Sequence, residues 1–215
     1  MVELVGPDTR RFANGMFTNN VRDMPVGAHR WSGMTDDRGR LHGLMDLLLV
    51  ADDRLVCVLE GMTADAFEAR YGMFVVFDDV EIVRRGGTVW SLQGADLPAV
   101  DAELQWPSRR SRSGGLEVLT PDDTPPVAGV PTDDAMLEAL RIEVGWPRFP
   151  DDASDRQLPH ELGLRDTHLH FEKGCYRGQE TIHRVEVMGG VRKGLVGLAL
   201  DAEIAVGADL SADGK

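Results

Sequence analysis

Lys173-Gly174-Cys175-Tyr176-Arg177-Gly178-Gln179-Glu180 sets one of only two cysteines in the chain between two glycines and two basic residues. The segment that follows, Tyr176 to Val187, has the pattern of a helix with Ile182 and Val185 turned inward. A thiol ahead of a helix meets unpaired backbone N–H groups and the positive end of the macrodipole. Lys173 and Arg177 add to that field, and together these effects favour the thiolate. The same spacing also suits a bland arrangement, in which Cys175 is a small packing residue and the glycines permit a tight turn. The residues alone leave both readings open.

Around this stretch lies an acidic chain of 215 residues with a formal net charge of −13. That length supports a sizeable core, in one large domain or two small ones. A hydrophobic content of 42% and a charged content of 27% are ordinary for a globular protein. The longest apolar run, Leu44 to Ala51, contains Asp46 and is too short to span a membrane. No charged-then-apolar leader opens the chain, and two cysteines suggest no disulfide framework, which fits a reducing, cytoplasmic setting. The negative balance argues against generic nucleic-acid binding. Between residues 173 and 193 the balance reverses, with Lys173, Arg177, Arg184, Arg192 and Lys193 against Glu180 and Glu186. This basic island is either an anion site or a solvated charged face.

Periodicity organises the rest. Val2 to Val5 alternates as a strand, and Pro7 to Met16 reads as a helix with Phe12 and Met16 on one face. Leu41 to Val50 and Arg54 to Leu59 read as paired strands. Thr63 is a cap for a helix ending at Tyr71. Val80–Arg84 and Thr88–Leu92 flank Arg85-Gly86-Gly87 as a hairpin would. This order of elements suggests a split βαβ unit of ferredoxin-like type. The proline-rich stretch 106–134 reads as a junction with one strand at Leu116–Leu119. Thr132 is placed to cap a helix over Asp133–Glu143, and Thr167–Phe171 and Lys193–Leu200 read as strands. On that first strand His168 and His170 would share a face, and with His160, His183 and Cys175 they raise a Cys/His metal site. The spacing fits no standard zinc pattern, and a satisfied or exposed histidine is the commoner outcome. Cys57 reads as packing, and the four tryptophans as core or cavity wall, Trp146 being the one placed to touch a ligand.

The octapeptide resembles the signature Lys-Gly-Cys-Tyr-x-Gly-Gln-Glu of the YgfZ-type folate-binding proteins, relatives of the aminomethyltransferase of the glycine cleavage system. Leu140-Arg141-Ile142-Glu143-Val144-Gly145-Trp146-Pro147, Leu158-Pro159-His160-Glu161-Leu162 and Gly190-Val191-Arg192-Lys193-Gly194-Leu195 resemble further blocks of that family, as do Gly6-Pro7-Asp8, Phe12, Thr18-Asn19-Asn20-Val21 and Gly39-Arg40 more loosely. The resemblance implies an α+β fold of ferredoxin-like modules around a central folate cavity. A first module would cover 1–105 and a second, carrying the motif, 106–192. Residues 193–215 would begin a C-terminal barrel that is incomplete here, with Asp213-Gly214 as a turn signal lacking a following strand.

The resemblance further implies tetrahydrofolate or a derivative as cofactor. Glu143 would hold the pterin through paired N–H bonds, since a carboxylate can accept two in parallel; an ion pair with Arg141 or Arg148 is the plain alternative. Lys173, Tyr176, Arg177 and Gln179 of the motif, with Arg184 and Arg192 for the folate tail, complete the binding set. Cys175 would be the functional centre, as ligand, disulfide partner or nucleophile. Without a Cys-x-x-Cys pair the chain cannot hold an iron–sulfur cluster by its own cysteines. The implied role is that of a folate-dependent accessory protein in iron–sulfur cluster assembly or repair. It would meet iron–sulfur client or assembly proteins and support tRNA-thiolating enzymes, without direct contact to nucleic acid or membrane. A folate-dependent aminomethyltransferase and a non-catalytic module retaining the fold are the alternatives. The former needs an acid beside the folate nitrogens, and Asp36 and Asp37 are poor candidates for it.

Overall fold

The computed structural model describes residues 1–129, 132–201, 204, 205 and 207–209. Strands β1 (Val2–Val5), β2 (His29–Thr35), β3 (Leu41–Ala51), β4 (Arg54–Glu60) and β5 (Glu81–Arg84) form an antiparallel sheet in the order β2-β3-β4-β1-β5. Helices α1 (Thr9–Met16) and α2 (Ala64–Tyr71) are its crossovers. Without β2 the order is that of the split βαβ unit read from the sequence. β2 is an additional edge strand that the sequence reading missed. A second antiparallel sheet, order β6-β8-β7, comprises β6 (Thr88–Gln93), β7 (Leu104–Pro107) and β8 (Gly115–Thr120). It is followed by α3 (Asp134–Val144), the single turn α4 (Arg165–His168) and α5 (Gln179–Val187).

Alternation along β3 separates the two faces of the large sheet. Met45, Leu47 and Leu49 join Leu4, Leu55 and Cys57 in the main core beneath α1 and α2. There Phe67 and Tyr71, four apart on α2, pack on Phe17 with ring centroids 6.0 and 5.8 Å away. Thr63 caps α2 by accepting a hydrogen bond from the Ala66 N–H. The opposite residues of β3, Leu44, Asp46 and Leu48, face the second sheet and the loops that follow it. Leu48 and Val56 pack there against Trp106 and Leu119.

Several local expectations change. The hairpin across Arg85-Gly86-Gly87 does not form, because β5 pairs with the edge of β1 and β6 pairs with β8. The glycines instead carry the chain from one sheet to the other, and a side chain at Gly87 would press on the Thr120 carbonyl at 2.6 Å. Asp133, not Thr132, caps α3, accepting from the Met136 N–H at 2.8 Å. Thr167–Phe171 is not a strand: the Leu164 carbonyl accepts from the N–H groups of Thr167 and His168, which closes the turn of α4. Among the described residues 193–201 no strand forms, although the Leu195 N–H donates to the Glu161 carbonyl at 2.7 Å. Among the described residues neither sheet closes on itself. Asp213-Gly214 lies outside the described residues.

The cysteine motif is fastened along its length to α1, the turn after it and the end of β2. Asn14 donates to the Lys173 carbonyl at 3.0 Å, and the Lys173 ammonium donates to the carbonyls of Asn14 and, at 2.7 Å, Phe17. The Arg177 N–H donates to the Gly15 carbonyl at 2.9 Å, and its own carbonyl accepts from Thr35 Oγ1 at 2.9 Å. Upstream, Thr18 Oγ1 donates to the His168 carbonyl and Asn19 to that of Thr167. Gly178, at φ +82°, lies so close to Gly39 and the Asp36 carbonyl that a Cβ would sit 2.4 Å from that oxygen. Gly189 has a similar φ of +87° but open space around it.

Two outcomes follow from this packing. Gly178→Ala should destabilise the protein by about 2 kcal/mol or more in urea unfolding, whereas Gly189→Ala should show only the backbone component of about 1 kcal/mol. Burial, followed by the nearby Arg109 and His29, pushes His168 down to about 3. The unfolded chain therefore binds the extra proton first as pH falls. The His168 contribution is fully present above its ordinary value of 6.5 and declines from there toward pH 3. Between pH 7 and pH 5 this should remove about 2 kcal/mol of unfolding free energy, and His168→Phe should flatten that slope.

Candidate functional site

Two polar clefts between the sheets adjoin across Asp46, Glu60, Arg110 and Glu117, which line both. The lobe beside α3 has a volume of about 630 Å³, and the lobe lined by Trp31, Trp146 and His168 about 20 Å³. Strand parity explains their chemistry. Asp46 on β3, with Val58 and Glu60 on β4, shares the face that looks away from the helices, and Glu117 on β8 looks back at them with Trp106 as its cross-strand partner. These carboxylates therefore occupy inward positions in otherwise apolar strands.

Each is partly satisfied. Asp46 meets His29 Nε2 at 2.7 Å. Glu60 accepts from the Phe149 N–H at 2.9 Å and pairs with Arg110 at 3.4 Å. Burial nevertheless raises the Glu60 carboxyl above its ordinary value, outweighing the Phe149 N–H and Arg110. Glu117 accepts from Ser91 Oγ at 3.0 Å and pairs with Arg110 Nε at 3.3 Å. One guanidinium thus bridges two carboxylates from facing sheets.

The other wall is aromatic. Trp31 meets Trp146 edge-on, with centroids 5.5 Å apart, and Trp146 packs on His168 at 5.4 Å. Arg109 lies over Trp31, 4.5 Å from the ring centroid. Trp146 reaches this wall because α3 ends at Gly145 in the left-handed conformation, φ 70°, which folds the chain back so that Arg141 donates to the Trp146 carbonyl at 2.8 Å. The Trp106 indole N–H, buried at the cavity wall, has no partner among the described residues. An unpaired buried donor is costly, and a ligand acceptor in the cavity would satisfy it.

Of the residues singled out from the sequence, Trp146 and His168 line this region, and the proposed folate-binding set and Cys175 fall elsewhere. Glu143 is exposed on the far side of α3 and pairs with Arg112 at 3.4 Å; Leu137, Glu138 and Arg141 of the same helix line the cavity. Lys173 is buried in its contacts with α1, with its ammonium 4.4 Å from the Tyr176 ring centroid. Burial, then Arg22, pushes it down to about 7. Tyr176 is buried, and its backbone N–H donates to Gln179 Oε1 at 3.1 Å. Arg177 pairs with Asp37 at 2.7 Å. Cys175 is exposed and precedes the α5 cap, Gly178, so it stands outside the first helical turn where the dipole acts. Arg184 lines a separate cleft and Arg192 is exposed. His168 is in the cavity wall while His170 is not, and among the described residues no three His, Cys, Asp or Glu side chains group as metal ligands would. The cavity carboxylates were missed. Their signal was a charge at an inward position of a strand, visible at Asp46 inside Leu44–Ala51 and at Glu117 inside Leu116–Leu119.

No protein-family model matches the chain. By sequence it is 26% identical over 235 aligned residues to the tRNA-modifying protein YgfZ of Edwardsiella ictaluri, covering 94% of this chain and 69% of that protein. An uncharacterized protein of Haemophilus influenzae is 21% identical over 91% of this chain and 69% of its own length. A putative chloroplastic transferase of Arabidopsis thaliana is 36% identical over a shorter stretch, 40% of this chain and 20% of the relative. Among solved structures, the glycine cleavage system aminomethyltransferase T of Bartonella henselae superposes with a TM-score of 0.68 at 16% identity. That match covers 88% of this chain and 61% of the aminomethyltransferase, so this chain spans less than two thirds of its length. No helix among the described residues is long and apolar enough to cross a membrane. With several YgfZ relatives aligned along nearly its whole length and the aminomethyltransferase fold beneath them, the chain is similar to the YgfZ-type proteins.

Proposed function

We propose that the cavity between the two sheets binds a reduced folate, tetrahydrofolate or a derivative. The observation that carries this reading is the set of inward carboxylates, Asp46, Glu60 and Glu117, facing a wall of Trp31 and Trp146. A pterin is a flat bicycle with an N–H-rich edge: the edge asks for a carboxylate that accepts two hydrogen bonds, and the faces ask for aromatic contact. Glu117 and Glu60 are the carboxylates we assign to the edge, Trp31 and Trp146, which must part to widen their lobe of about 20 Å³, the faces, and the exposed Arg109 the glutamate tail. The unpaired Trp106 donor supports a polar ligand over a purely apolar one. What the folate supplies when bound is one-carbon or reducing chemistry at its ring nitrogens.

The role we propose for the bound protein is accessory: support of iron–sulfur cluster assembly or repair, and through it of tRNA-modifying enzymes. Relatives named tRNA-modifying proteins support this, as does the motif cysteine. Cys175, exposed beyond the cavity, is the group we assign to the encounter with an iron–sulfur client or assembly protein.

Calorimetric titration with tetrahydrofolate tests the site. Glu117→Gln should weaken binding by about tenfold or more, the loss of a charged hydrogen-bond acceptor. Glu143→Ala should stay within about twofold of wild type, as expected for an exposed ion pair; the reverse pattern would move the pterin to Glu143. Cys175→Ser should bind folate normally yet fail to sustain a tRNA-thiolating iron–sulfur enzyme in cells, and full support by that variant would remove the cysteine from the function.

A further inference from the structure

Outside the cavity, Arg38, Arg40, Arg156 and Arg184 converge on a cleft of about 350 Å³, together with Thr181 and Glu161. The four arginines come from three separate segments: the turn after β2, the loop before Pro159, and α5. The turn is fixed by Asp36, whose Oδ1 accepts from the N–H groups of Arg38 and Arg40 at 2.8 and 2.9 Å. Glu161 is engaged locally, accepting from the Leu158 N–H at 2.8 Å. Thr181 lies in the first turn of α5, where the helix dipole is positive.

Many other arginines of this acidic chain meet carboxylates, as Arg54 meets Glu3 and Arg177 meets Asp37. Among the described residues, none of the four guanidiniums at the cleft makes an ion pair or a side-chain hydrogen bond. Four like charges gathered around one carboxylate, Glu161, leave an excess of positive charge that a multiply charged anion would satisfy. Guanidinium forks match phosphate oxygens bidentately. The cleft has the size of a small-molecule site. An extended nucleic-acid track would need a basic stripe, which a chain of net charge −13 opposes.

We propose that this cleft is a second, separate site that takes a compact polyphosphate group carried by a small molecule. It shares no lining residue with the cavity between the sheets, so it stands or falls independently of folate binding.

The probe is inorganic pyrophosphate, titrated calorimetrically into the full chain at low and at physiological salt. Wild type should bind, and more weakly as salt rises. The double variant Arg40→Ala/Arg184→Ala should bind about thirtyfold more weakly or not at all, with an unchanged circular dichroism spectrum. Arg184→Lys, which keeps the charge and loses the fork, should fall between them, and Trp31→Ala should bind like wild type. The proposal is overturned if wild type does not bind at low salt, or if the double variant stays within about twofold of it. An arginine-dependent preference for a single-stranded RNA oligomer over pyrophosphate would also overturn it, in favour of a nucleic-acid surface.

Discussion

Asn14 and Lys173 lie far apart in sequence yet each binds the other's backbone. The buried amide of Asn14 donates to the Lys173 carbonyl, its own oxygen accepts from the N–H groups of Val21 and Arg22, and the Lys173 ammonium closes onto the carbonyls at the end of α1. This exchange satisfies the last carbonyls of α1, which no intrahelical donor reaches. Breaking it would leave an amide, an ammonium and several backbone groups buried without partners, so the penalty exceeds that of a single hydrogen bond. The segment before the motif and the motif itself use the same strategy, with Thr18 and Asn19 as side-chain donors to His168 and Thr167 and Thr35 to Arg177, along backbone that has no ladder of its own.

That latch has a consequence for the cavity. The chain it fastens includes His168, which packs on Trp146 and so supports the aromatic wall. The opposite wall is set by sheet alternation, which aims Asp46, Glu60 and Glu117 into the same space. The cavity is therefore assembled from two kinds of order: sheet register on one side, and side-chain hydrogen bonds to irregular backbone on the other. The octapeptide works behind the wall and at the surface, with Lys173 and Tyr176 inside and Cys175 outside. The proposed division between ligand binding and partner contact follows that geometry.

Most of the five-stranded sheet and α2 were legible because their signals are local. The alternation of β1, the paired runs of β3 and β4, and Thr63 ahead of Phe67 and Tyr71 each name their own structure. β2 escaped because His29-Arg30-Trp31-Ser32-Gly33-Met34-Thr35 carries little alternation and is a strand by virtue of the β3 edge beside it. The hairpin at Gly86-Gly87 failed for the same reason in reverse: turn chemistry permits pairing, but long-range partners decide it. Glu143 and Glu117 make the point at the site. Helix periodicity places a carboxylate on a helix but does not say which side a neighbouring sheet will cover, whereas a carboxylate at an inward strand position names its face in advance. The YgfZ-type motif was readable as a signature, yet its lysine turned out to hold the fold together, which no spacing rule distinguishes from ligand binding.

Amide hydrogen exchange in the native protein tests the latch most directly, because the N–H groups of His170 and Arg177 donate across it to Thr18 and Gly15. If the motif is held to α1 and the turn after it as described, these amides will exchange as slowly as those of α1, and Asn14→Ala will speed all of them together. Fast exchange at His170 and Arg177 beside a protected α1 would contradict the account, leaving the motif a surface loop and the aromatic wall without its support.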